Sequence, residues 1–216
     1  MDRLQRVFLL SLMMLFVAAP ASAVTVFKAN LVIGNEPVPP FVTPTTTTGA
    51  ARPTPFGTAT FVLNDAQTAL SFFATITNID VTGTQTADLN DNLLNAHIHA
   101  GTGSTPTFGV VWGFFGSPFN NNNPADEVDT PFTGGAVGGT FSGTWNAPEG
   151  NNTTLTAQLA NILAGRSYIN FHTVQNTGGE IRGQLVLTSE PPATMLMAFG
   201  MLLMGYLFRH RLRQRQ

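Results

Sequence analysis

Cysteine does not occur in the 216 residues. Its absence excludes a disulfide framework, so a domain of this chain must be held by a conventional apolar core. Basic charge is scarce in the middle of the sequence. Residues 24–190 hold 11 of the 12 carboxylates but only 4 of the 10 basic side chains, Lys28, Arg52, Arg166 and Arg182, for a formal charge of −7. A nucleic-acid partner needs a basic face to displace counterions from phosphate, and this stretch has none. No Gly-x-Ser-x-Gly nucleophile elbow is present, and no nucleophile pairs with a histidine base, so the usual marks of a hydrolase are missing. Helical periodicity is confined to one short stretch, and no internal repeat occurs.

The two ends differ from the middle. Arg3 and Arg6 precede a run of 11 residues, Val7 to Val17, that is apolar except for Ser11, and Ala21-Ser22-Ala23 supplies small residues. This is the pattern of a signal peptide over residues 1–23, with Ala21 and Ala23 as the small residues that signal peptidase needs and the mature protein beginning near Val24. At about 1.5 Å per residue the apolar run covers about half of a ~30 Å bilayer core, too little for an anchor. At the other end, Ser189-Glu190-Pro191-Pro192 leads into apolar residues 193–208 and then Arg209, Arg211, Arg213 and Arg215. The spacing predicts a C-terminal transmembrane helix over 193–208, about 24 Å long, with the Arg-rich tail 209–216 in the cytoplasm. Glu190, Pro191 and Pro192, the apolar stretch and the arginine tail together make residues 189–216 similar to the PEP-CTERM sorting signal. Ser189 stands where the usual Pro-Glu-Pro motif has its first proline. The resemblance implies an exosortase that removes the hydrophobic part and passes the protein to the cell surface, the membrane holding the segment until then.

Between the ends, apolar and polar residues alternate with period two, and Gly, Asn and Pro cluster between the runs. The pattern predicts strands at Thr25–Leu31, Gly57–Leu63, Ala69–Ile76, Asn95–Ala100, Val110–Phe115, Gly139–Trp145, Arg166–Thr173 and Glu180–Leu187 in one β-domain over 24–188. Asn64 to Gln67 and Gly178-Gly179 mark tight turns, so neighbouring strands are antiparallel. Long loops are expected at Glu36–Pro55, Thr82–Asn92 and Ser117–Gly138. Leu155, Leu159, Ile162 and Leu163 have helical spacing, which predicts one short helix over 154–164 closed by Gly165.

Three of the four histidines lie in this domain, and His97-Ile98-His99 sits within a strand. If Ile98 enters the core, both imidazoles lie on the other face, about 7 Å apart at Cβ, close enough to converge on one ion. The same alternation in Tyr168-Ile169-Asn170-Phe171-His172 makes His172 a candidate third ligand. Glu180 and Arg182 flank Ile181 on the following strand, where a carboxylate could orient an imidazole or serve as a further ligand. Such an imidazole-rich site suits zinc or copper. The alternative is a neutral hydrogen-bonded patch tying three strands together. Asp126, Glu127 and Asp129 offer oxygens to calcium, but without EF-hand spacing, and a solvated acidic loop is the other reading.

Asn35-Glu36-Pro37-Val38-Pro39-Pro40, Gly57-Thr58-Ala59-Thr60-Phe61, Ala96-His97-Ile98-His99-Ala100-Gly101, the run from Leu163 to Thr173, and Gly179-Glu180-Ile181-Arg182-Gly183-Gln184-Leu185 follow one another in the order of the CHRD (chordin) domain, which the chain resembles over nearly its whole mature length. The resemblance implies an all-β, immunoglobulin-like antiparallel sandwich or barrel, with a distant likeness to copper-zinc superoxide dismutase, and brings no assigned reaction. A dismutase site would call for further histidines, one bridging two metals, and for a disulfide. The expectation is therefore a non-enzymatic β-domain, exported and sorted to the cell surface, with a structural or binding role toward an extracellular ligand. A zinc- or copper-binding protein with a dismutase-like site is the alternative.

Overall fold

The alternation of small, apolar and hydroxyl side chains has a direct structural outcome. In the computed structural model, which describes residues 24–37, 41–102 and 107–188, the strands are β1 Thr25–Val32, β2 Phe56–Leu63, β3 Ala69–Thr77, β4 Leu93–Ala100, β5 Val110–Phe115, β6 Val128–Pro131, β7 Gly138–Asn146, β8 Ser167–Thr173, β9 Ile181–Gln184 and β10 Val186–Thr188. A 3-10 turn at Ile33–Asn35 and one helix, α1 Leu155–Leu163, accompany them. On β2, Gly57, Ala59, Phe61 and Leu63 are buried and the residues between them are exposed. A one-residue slip would turn Phe61 and Leu63 into water, which fixes the register against β1 and β3.

All strand pairings are antiparallel, in one sheet ordered β5-β4-β8-β9-β1-β2-β3-β7-β6, with β10 also on β1. The antiparallel all-β class is as the alternation predicts. Rather than two stacked sheets, this one sheet curls into a half-barrel, because aromatic side chains from its two ends meet on the inside. Phe72 of β3 meets Trp112 and Phe114 of β5 at ring distances of 5.7 and 4.7 Å. Phe141 of β7 meets Phe171 of β8 at 5.4 Å, and Trp112 stacks on Trp145 at 5.7 Å. Full burial of a side chain such as Phe171 contributes about 1.5–3 kcal/mol, and each well-placed aromatic pair adds about 0.5–1.5 kcal/mol. This core sets the orientation of β4 and β8. With Ile98, Ile169 and Phe171 inside, the alternate side chains must face the other way.

Two features depart from the sequence expectation. Strand β6 lies within the predicted loop Ser117–Gly138; it is an edge strand paired only with β7, mostly exposed and without alternation. The predicted strand 180–187 breaks at Leu185, whose side chain is fully buried. Val186 and Leu187 are then both exposed, and the chain, which as β9 lies between β8 and β1, continues as β10 paired with β1. Helix α1 forms as expected, its first turn capped by the Thr154 hydroxyl accepting from the Ala157 N–H at 3.2 Å. Leu155 and Ile162 are buried, but Leu163 is exposed. The expected signal peptide with Ala21 and Ala23, the motif Glu190-Pro191-Pro192, the segment 193–208 and the tail 209–216 lie outside the described residues. Among the described residues, no helix is long and apolar enough to cross a membrane.

Candidate metal centre

Every residue of β8 is buried, on both faces of the strand. One face belongs to the aromatic core. On the other, the β4–β8 register sets Asn95 opposite His172, His97 opposite Asn170 and His99 opposite Tyr168. The connections after β4, β5 and β8 fold over this face, so His97, His99 and His172 are only 4, 7 and 6% exposed. One ring nitrogen from each of the three lies within 4.8 Å of the other two. The structure thus brings together all three histidines that the alternation singled out.

Each imidazole is oriented by a backbone carbonyl on a different loop. His97 Nε2 lies 3.1 Å from the Ser117 carbonyl oxygen, His99 Nδ1 2.9 Å from that of Phe108, and His172 Nδ1 3.0 Å from that of Thr177. A carbonyl can only accept, so these three nitrogens carry the protons. The opposite nitrogens, Nδ1 of His97 and Nε2 of His99 and His172, are left with lone pairs. His99 Nε2 is buried with no hydrogen-bond partner. His97 Nδ1 and His172 Nε2 stand 3.3 Å apart, and with both protons already committed elsewhere, two lone pairs face each other. Two nitrogens about 2.0–2.1 Å from a tetrahedral zinc would be about 3.3–3.4 Å apart. A ring N–H donated to a backbone carbonyl is also how metal-bound histidines are commonly held in tautomer and orientation.

Burial keeps these imidazoles neutral. It depresses the pKa of His97, that of His99 to about 4 and that of His172 to about 3, the neighbouring imidazoles adding to the effect at His172. Three neutral imidazoles with lone pairs turned together fit zinc or copper, which take nitrogen ligands, far better than calcium or magnesium, which take oxygen.

Two glycines permit the close approaches around the site. A methyl on Gly113 would stand 1.8 Å from the Pro118 carbonyl oxygen and 3.1 Å from His97 Cδ2, so only glycine lets the loop carrying Ser117 lie against His97. Gly179, at φ +129°, abuts the Asn170 amide and the Glu36 carboxyl, both under 3.0 Å from where its Cβ would be. Tyr168 stacks on His99 at 4.7 Å with the planes 7° apart. Its hydroxyl accepts from the Phe108 N–H at 3.2 Å, which fixes the residue whose carbonyl holds His99. Arg182 lies over the other ring neighbour in this stack, 4.4 Å from the Tyr168 centroid, and donates to the Asn35 carbonyl at 2.6 Å.

Glu180 does not orient an imidazole. Its carboxylate is fully buried, bonded to Arg52 and to the Thr173 hydroxyl. It pairs instead with a cation 128 residues away in sequence, and Arg182 lies against Tyr168, the residue stacked on His99. The loop acids Asp126, Glu127 and Asp129 do not gather into a cluster of the histidine kind among the described residues. Asp126 accepts from the Thr144 N–H at 2.8 Å, and burial together with Asp129 raises the Glu127 carboxyl to about 7. The orienting groups that the sequence did not reveal are Phe108, Ser117 and Thr177. They act through backbone carbonyls, which leave no mark on residue type. A family model described as CHRD domain matches residues 29–185. No curated protein and no solved structure matches the chain.

Proposed function

The chain belongs to the CHRD domain family, and we propose that it is an exported, immunoglobulin-like member whose β-domain binds one zinc or copper ion through His97, His99 and His172. It works without turnover, as a structural or ligand-binding module at the cell envelope or in the extracellular matrix. The observation that carries the metal reading is the set of three imidazoles with their outer protons committed to carbonyls and their remaining lone pairs turned together in a buried place. As a hydrogen-bonded patch the same arrangement would leave His99 Nε2 unpaired and two acceptors face to face, at a cost of about 1–3 kcal/mol for each buried group left unsatisfied. An ion removes that cost. Export to the surface rests on the sequence of residues 1–23 and 189–216.

Metal analysis by mass spectrometry on the purified full chain and on a His97→Ala/His99→Ala variant tests the reading. Stoichiometric zinc or copper in the native chain, lost in the variant, is expected; equal, substoichiometric metal in both overturns it. Sorting is tested by the intact mass of the protein from cells with and without an exosortase, and a full-length C-terminus in both overturns it.

A further inference from the structure

Building on the metal-binding reading above, we infer that the ion held by His97, His99 and His172 keeps a fourth coordination position for an exchangeable small ligand: water, hydroxide or a monodentate anion. The first argument is a count of ligands. Among the described residues no fourth His, Asp or Glu joins the three imidazoles. The two internal segments outside them, 38–40 and 103–106, consist of Val, Pro, Gly, Ser and Thr, and the chain has no cysteine. Zinc is four-coordinate in such surroundings, and sites with three protein ligands complete the shell with water or another small ligand.

The second argument is charge. Three neutral imidazoles leave the full charge of a divalent ion uncompensated among side chains that are at most 7% exposed, and a buried charge without a counter-charge is costly. Each nearby buried carboxylate already stands beside an arginine. Glu180 pairs with Arg52, and Glu36 lies 4.0 Å from Arg182. An anion on the ion supplies what these surroundings do not. The third argument is the neighbouring side chain. Asn170, in register with His97 and 2% exposed, keeps its carbonyl oxygen without a hydrogen-bond partner. It is an acceptor on the imidazole face, suited to a ligand that carries a proton, as water and hydroxide do.

Cobalt(II) in place of zinc reports this position, because its visible bands depend on the fourth ligand. The full chain is stripped with a chelator, loaded with cobalt and titrated with thiocyanate and, separately, with azide. The expected result is a saturable, one-to-one shift of the cobalt bands by at least one of the anions, with no such bands in the stripped chain or in His99→Ala. Cobalt bound with a spectrum that neither anion changes overturns this inference alone. Failure of the chain to take up cobalt at all overturns the metal-binding reading on which it rests. Because both decisive outcomes are read on the native sequence, neither depends on the variant folding.

Discussion

Replacing Gly113 with alanine separates the outer support of the centre from its ligands. The added methyl would stand 1.8 Å from the Pro118 carbonyl oxygen and 2.9 Å from its carbon, and side chains do not tolerate contacts under 3.0 Å. Both partners are backbone, so the loop must retreat by more than an ångström. The Ser117 carbonyl, one residue earlier, is 3.1 Å from His97 Nε2, and the same retreat takes it beyond hydrogen-bonding range. His97 then loses the partner that fixes its tautomer. Loss of such an outer partner typically weakens metal binding about 10–100-fold, or about 1.4–2.7 kcal/mol. The loop bonds Gly113 N–H to Asn120 Oδ1 (3.1 Å) and Asn120 N–H to Gly113 O (2.7 Å) are strained as well, so stability falls by about 1–3 kcal/mol, as for other overpacked sites. Competition against a chromophoric chelator gives the zinc affinity, and a circular-dichroism melt shows that the sheet persists. Ser117→Ala serves as the control, since it retains the carbonyl and should bind as the native chain does. A folded Gly113→Ala that binds zinc as tightly as the native chain refutes the role assigned to the Ser117 carbonyl.

Zinc affinity should stay level from about pH 8 down to about pH 5, because burial has already lowered His99 to about 4 and His172 to about 3; below that it should fall by up to about tenfold per pH unit for each imidazole that binds a proton. Competition titrations across this range check the point, and a decline setting in at the ordinary imidazole value of 6.5 sinks it. Burial raises Glu36 from 4.5 to about 7 against the opposing pull of Arg182. A raised folded-state value means that the unfolded chain releases the proton first, so the contribution is present at low pH and lost as pH rises from 4.5 through 7. Glu36→Gln should therefore gain in urea midpoint relative to the native chain between those values and level off above them; a difference independent of pH contradicts the assignment. Trp112, fully buried among Phe72, Phe114 and Trp145, should cost about 3–5 kcal/mol as Trp112→Ala. Trp112→Phe, which keeps a ring and removes the unpartnered indole N–H, should cost less than about 1.5 kcal/mol, both read from urea melts.

The ladder and the imidazole face were legible because period-two alternation is a local property. Ile98 between His97 and His99, and Ile169 and Phe171 beside His172, state in the sequence which side chains enter the core and which share the other face. Strand β6 was not legible, since Val128–Pro131 is an edge with almost nothing buried and its pairing depends on β7 rather than on its own pattern. The break at Leu185 has a similar origin: whether the segment lies beside β8 as well as β1 depends on the course of those neighbouring strands and not on its own pattern. Glu180 was expected to serve His172 because of their nearness along the hairpin, but the buried guanidinium of Arg52 competes for it from a distant loop. The carbonyls of Phe108, Ser117 and Thr177 were hidden for a different reason, since every residue type has a carbonyl and only the folded loop decides which one meets an imidazole.

The central claim, that His97, His99 and His172 form one metal centre, is tested most directly by X-ray absorption at the metal edge of the zinc-loaded full chain. The account predicts one ion per chain with three imidazole nitrogens at about 2.0–2.1 Å and one further light ligand. An ion surrounded by oxygen alone, or a chain that retains no stoichiometric metal, would contradict it.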